Sequence, residues 1–165
     1  MWGSPSSEND YKRIEDEMIF NDLVVVEKRL ERIEADLKRG KKPDEEEHHM
    51  VLACKDLLDK GESLRTNPLL ASSPVLRGFT FLSAKPQLVI INNDDENDSL
   101  PEWAFVNKDL AVQAVRGRLE MEIAAMTGED AEIFRAEYAI EESALDRIIK
   151  ESYRILNLMS FFTRC

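Results

Sequence analysis

Leu88, Val89, Ile90 and Ile91 form an apolar run entered through Lys85-Pro86-Gln87 and left through Asn92-Asn93-Asp94-Asp95. Three of the four are β-branched, which favours an extended strand, and the lack of polar alternation marks a strand buried on both faces. Such a strand needs a neighbour to pair with and elements to cover it. Leu110–Val115 reads as a second, weaker strand, and both strands are expected to be buried. Elsewhere the apolar residues recur at helical spacing. The pattern restricts the chain to a helix-dominated α/β fold.

The longest helical signal is a heptad seam. Ile19, Leu23, Val26, Leu30, Ile33 and Leu37 alternate spacings of four and three. A helix starting near Glu15 and ending before Gly40 would be about 35 Å long. Asp44, with Glu47 three residues on, suits the start of a second helix carrying Met50, Ala53, Cys54, Leu57 and Leu58 and ending near Gly61. The short turn between them predicts an antiparallel helical hairpin of coiled-coil type. Ser73-Pro74 predicts a short helix through Leu76 and Phe79 to Leu82. An acidic loop (Asp94 to Asp98) and Pro101 separate the two strands. Thr127 with Asp130, and Ser143 with Asp146, open two further helices; the last carries Leu145, Ile148, Ile149, Leu156 and Met159 at core spacing. The expected organisation is a flexible start over 1–13, the hairpin over 14–70 and a half α/β domain over 71–165. A sheet of two strands keeps a free edge, so self-association there is expected.

Composition narrows the function classes. The 22 basic and 33 acidic side chains give a net charge of -11, which argues against a nucleic-acid surface over the whole molecule; only Lys38, Arg39, Lys41 and Lys42 cluster as cations. The two cysteines, Cys54 and Cys165, make no disulfide framework and read as free thiols. The start, Met-Trp-Gly-Ser-Pro-Ser-Ser, has no apolar signal region, and no stretch approaches the ~18 apolar residues of a spanning helix. A cytoplasmic, soluble protein without membrane contact is expected. His48 and His49 are adjacent and so face different sides of a helix, and the acidic loop lacks the Gly and distal Glu of a Ca²⁺ loop. No metal site is expected.

An apolar strand ending in Asn-x-x-Asp is how a nucleotide-binding sheet presents a base-reading loop. None of the six glycines (3, 40, 61, 78, 117, 128) fits the phosphate-cradling pattern G-x-x-x-x-G-K-[ST]. Three stretches carry a resemblance: residues 22–34 (DLVVVEKRLERIE), 81–92 (FLSAKPQLVIIN) and 140–163 (IEESALDRIIKESYRILNLMSFFT). In this order they resemble the YchF / Obg-like ATPase family of P-loop proteins. The first resembles the opening of its inserted coiled-coil domain, the second the segment leading into its base-recognition loop, and the third the end of its nucleotide-binding domain. The family's phosphate loop and D-x-P-G switch precede this region, and its TGS-type domain follows it. The resemblance therefore covers the middle of a family member, and implies a partial P-loop NTPase-type sheet with the helical hairpin inserted.

The resemblance also implies site residues. In the wider class an N-K-x-D loop reads guanine: the Asp accepts from the ring N–H and amino group, and the Lys stem packs over the ring. The YchF pattern is N-x-x-E. Here Asn92 matches the Asn, Asn93 the Lys position and Asp95 the acidic one, with Glu96 adjacent, so ATP against GTP stays open. The family's second base-contacting loop matches Arg116-Gly117-Arg118, where small residues are usual. The implied ligand is ATP or GTP with Mg²⁺, and the implied partner is the ribosome, or a protein bound through the hairpin. No catalytic residue is assigned. Two readings follow: a fragment or diverged member of a YchF-like ATPase, without the phosphate loop and inactive in hydrolysis alone, or a non-enzymatic interaction module with a vestigial pocket.

Overall fold

Helix α1 (Ser7–Lys38) is the longest element of a computed structural model that describes residues 7–97, 99–100 and 110–161. It begins well before the expected start near Glu15. Tyr11 is buried and Glu15 pairs with the buried Arg65, so the first turns have tertiary contacts that heptad spacing does not register. The expected flexible start is thus helical from Ser7; residues 1–6, Asp98, Pro101 and Cys165 lie outside the described residues.

The chain divides into two compact units, Met1–Lys85 and Pro86–Cys165. In the first, α1 ends on Gly40, whose φ of 79° permits the left-handed turn. The Lys41 N–H reaches the Asp36 carbonyl and the Gly40 N–H the Leu37 carbonyl, closing the helix end. Helix α2 (Glu45–Leu58) starts where Asp44 accepts from the amides of Glu46 and Glu47, as the spacing predicts. The Glu47 side chain does not complete a capping box. It takes both the Nε and Nη2 of Arg29 on α1, at 2.6 and 2.7 Å.

The seam residues Ile19, Val26 and Ile33 are buried. Ile19 and Val26 share one cluster with Val51, Cys54 and Leu58 of α2, with Leu23 and Leu30 packed against it, whereas Leu37 is exposed. Leu64 and Leu70 also enter this cluster, Leu64 from a 3₁₀ turn (Leu64–Thr66) and Leu70 from the short α3 (Pro68–Ala71). Asn67 caps α3 through the amides of Leu69 and Leu70. The expected helix from Ser73 to Leu82 is absent: a turn and a three-residue 3₁₀ segment, Arg77–Phe79, take its place. Thr80 sits in the left-handed region at φ 54°, which ends any helix there. Leu76 and Phe81 join the core below.

Two groups in this unit give it a pH response. Burial, then the nearby Asp22 charge, pushes the Cys54 thiol from its ordinary 9.0 up to about 11. Burial, then Glu15, pushes the Tyr11 phenol from 10.0 up to about 12. In both cases the unfolded chain gives up its proton first. The contribution of these two groups is therefore fully present below about pH 9 and is lost as pH rises to about 11, with Tyr11 extending the loss to about 12. Denaturant unfolding at pH 8 and pH 11 should show a loss of about 2–3 kcal/mol from the thiol alone. Cys54→Ser should remove most of the slope between pH 9 and 11; an unchanged slope would contradict the assignment.

The second unit holds a parallel pair, β1 (Gln87–Asn92) and β2 (Leu110–Val115), in the register Gln87↔Leu110 to Asn92↔Val115. The fold is helix-rich α/β with a small parallel sheet. Helices α4 (Gly117–Ala125), α5 (Glu129–Glu137) and α6 (Ala144–Ile155) follow. Helix α4 was not among the expected elements. The cap of α5 is Gly128 rather than Thr127, at φ 69°, whereas Ser143 caps α6 through the Asp146 amide as expected.

Burial departs from expectation in two places. No residue of β1 is fully buried, and Ile90 is 45% exposed, since β1 has a single partner strand among the described residues. Helix α6 packs on the two strands, but none of its residues is fully buried. Leu145, Ile149, Leu156 and Met159 are all exposed and Ile148 is half-buried, while Leu119, Ile123 and Ile140 make one small cluster and Leu110, Ala111 and Val115 of β2 are buried. The helix ends at Ile155, before Leu156 and Met159, and what covers a helix face is a tertiary property.

Candidate functional site

Helix α4 has no capping residue of its own. Its N-cap is Arg116, whose side chain makes no capping bond, so the first amides of the helix need acceptors from elsewhere. The loop after β1 provides them. Asn92 Oδ1 accepts from the Gly117 N–H at 3.0 Å, and Asp95 Oδ1 accepts from the Leu119 N–H at 3.1 Å. These contacts span 25 and 24 residues. The Asn93 N–H donates to the Val115 carbonyl at 2.8 Å, which carries the ladder one step past the strand end. The loop after β1 and the start of α4 thus meet at the carboxyl ends of two parallel strands. In open α/β sheets this is where ligands lie.

Gly117 fits this junction by size. A Cβ there would stand 2.9 Å from Asn92 Oδ1, inside the hydrogen bond that joins the two loops. The Asp95 carboxylate, 35% exposed, has one oxygen on the helix and the other 3.8 Å from Arg118 Nε. Arg118 is 76% exposed and also meets Glu122 at 3.2 Å. An anionic acceptor beside the N-terminal amides of α4 stabilises the helix through its dipole. Asp95→Ala should therefore cost the second unit about 1 kcal/mol, read as a lower unfolding midpoint in urea; no change would mean that the amide is satisfied by water.

The sequence-predicted residues come together unevenly. Asn92, Asp95 and Gly117 form the junction. Asn93 turns its side chain aside, donating from Nδ2 to the Ser99 carbonyl at 2.9 Å. Arg116 leaves the loop as well: its Nη2 donates to the Tyr138 carbonyl at 2.9 Å. There it lines a cavity of about 250 Å³ with Gln113, Ala114, Ala139 and Arg147. Arg118 belongs to the matched loop Arg116-Gly117-Arg118 and stands beside Asp95, whereas the Leu119 amide was not singled out from the sequence. The missing local cap before Leu119 and Ile123 was the signal that α4 takes its acceptors from a distant loop. Among the described residues, no three His, Cys, Asp or Glu side chains gather to hold a metal, and no helix is long and apolar enough to cross a membrane.

No protein-family model matches the chain. Curated relatives do. The Ribosome-binding ATPase YchF of Escherichia coli O157:H7 is 29% identical over 168 residues, covering 98% of this chain and 46% of the relative. That of Bacillus subtilis (strain 168) is 28% identical over 166 residues, with shares of 94% and 45%. That of Buchnera aphidicola subsp. Schizaphis graminum is 29% identical over 160 residues, with shares of 93% and 44%. The YchF resemblance holds along nearly the whole chain, and the chain spans under half the length of these relatives.

Proposed function

We propose that this chain is a middle portion of a YchF-like nucleotide-binding ATPase, and that the Asn92–Asp95 loop with the start of α4 is its base-recognition corner. The observation that carries the reading is the junction itself: two loops joined by the Asn92–Gly117 and Asp95–Leu119 hydrogen bonds at the carboxyl ends of parallel strands. Asp95 Oδ2 and exposed backbone near Gly117 are the groups that would meet a purine edge. Helices α1 and α2 would form the antiparallel coiled-coil insert, and the ribosome named for the relatives would be the partner in a cytoplasmic setting. No stretch of the sequence fits the phosphate-cradling pattern G-x-x-x-x-G-K-[ST], so phosphate and metal binding would fall to the phosphate loop and switch of a YchF-like protein, to which nothing in this chain corresponds. The chain alone would then hold a base at about millimolar affinity, on the order of -4 kcal/mol, and hydrolyse nothing.

Calorimetric titration with ATP and GTP plus Mg²⁺ tests this. Weak saturable heat is expected, rising sharply when a phosphate-loop segment is supplied in trans. Absence of heat and of any thermal shift at millimolar nucleotide would sink retained binding.

A second reading is favoured by one set of observations. Ile14, Phe20 and Val25 are exposed on α1, and Leu145 and Ile149 are exposed on α6. Unpartnered apolar surface of this kind suits an interaction module, or self-association beside the sheet edge. Light scattering behind size-exclusion chromatography decides the latter: a clean monomer at high concentration counts against it.

A further inference from the structure

We infer that the first unit holds a binding site of its own, for a small organic acid with an apolar body. A cavity of about 360 Å³ opens on this unit, at the small end of the range for ligand sites. Its apolar lining comes from Leu70, Leu76 and Phe81, the same buried side chains that close the core below. Arg77, Thr80 and Lys85 also line it, and all three are exposed.

Charge decides what such a cavity takes. The chain carries a net charge of -11, and several cations of this unit are matched: Arg29 with Glu47, Lys55 with Asp59 and Arg65 with Glu15. Among the described residues, Arg77 and Lys85 make no ion pair and no side-chain hydrogen bond, and no Asp or Glu lines the cavity. Two uncommitted cations beside an apolar floor fit an anionic head on an apolar body. The guanidinium offers a carboxylate a planar fork of donors, and the ammonium adds a compact charge.

The rim is held in place by its own backbone. The Thr80 N–H donates to the Arg77 carbonyl at 3.3 Å and the Lys85 N–H to the Leu82 carbonyl at 3.2 Å. The Lys85 carbonyl accepts from Arg65 Nε at 2.8 Å, and Phe81 stacks on Phe79 with ring centroids 5.2 Å apart. Thr80, though β-branched, sits at φ 54° and ψ 36°. A residue of this type is strained there, and such strain gathers where ligands are clamped.

The test titrates hydrocinnamate into the full chain and follows the ¹⁵N amide shifts of Gly78, Thr80 and Phe81. The acid is expected to bind at about millimolar affinity. Hydrocinnamyl alcohol, the body without the charge, and acetate, the head without the body, should each bind at least about tenfold more weakly. Arg77→Gln and Lys85→Gln should each weaken the acid about threefold, and together about tenfold, because exposed ion pairs are individually modest. Alcohol or acetate binding as well as the acid overturns the inference, as does an unchanged affinity in the double variant. So does the absence of shifts at all three amides up to about 20 mM acid. The base-reading corner lies in the second unit, so none of these results bears on the nucleotide proposal.

Discussion

Asp22→Ala is expected to destabilise the first unit by about 3 kcal/mol, a fall of about 12–20 °C in its melting temperature. Asp22 is 3% exposed, an unusual place for a carboxylate on a charged helix. Its Oδ1 accepts from the Leu82 N–H at 2.9 Å and its Oδ2 from the Ser83 N–H at 2.7 Å, across 60 and 61 residues. Ser83 is itself fully buried, and passes the constraint on. Its Oγ accepts from the Leu64 amide at 3.3 Å and its carbonyl from the Arg65 amide at 2.9 Å. One side chain on α1 thus anchors the segment that closes the core. Truncation leaves two amides without an acceptor, which costs more than the bonds themselves contribute. Asp22→Asn should fall between, because its amide nitrogen would face one of the two donors. Circular dichroism melts measure both; a loss of under about 1 kcal/mol for Asp22→Ala would show that the anchor is redundant.

Leu64→Ala should cost about 3–4 kcal/mol. Leu64 has no exposed surface and lies in the same cluster as Val26, Val51, Cys54 and Leu58. It reaches that position from a three-residue 3₁₀ turn held by Ser83, so the backbone cannot easily collapse into the space left behind. Leu69, five residues on and 79% exposed, is the matched control: Leu69→Ala should stay within about 0.5 kcal/mol. Equal effects of the two substitutions in urea unfolding would contradict the packing described for this unit.

Local signals in the chain found the local elements. The β-branched run of β1, the span of β2, the Asp44 cap and the Ser143 cap all follow from residues near each other in sequence. What escaped was tertiary. Helix α4 is capped by Asn92 and Asp95, so nothing next to Gly117 announces its start. Asp22 lies beside the heptad seam and reads as one more solvated charge; only the amides of Leu82 and Ser83 explain its burial. The α6 periodicity identifies an apolar face and cannot say whether anything lies on it. For the candidate site, the Asn92–Asp95 and Arg116–Arg118 pairing was legible through the family resemblance. The diversion of Asn93 to Ser99 and of Arg116 to Tyr138 was not, since each depends on a carbonyl placed by a loop.

We propose that the corner between β1 and α4 holds a nucleotide base. The most direct test is an amide-resolved titration of the chain with ATP and GTP. Concentration-dependent shifts centred on Asn93, Gly117 and Leu119 are expected, weak for the chain alone and strengthened when a phosphate-binding segment is added. Shifts confined to α1 and α2, or none at any of these three amides up to about 10 mM nucleotide, would contradict it.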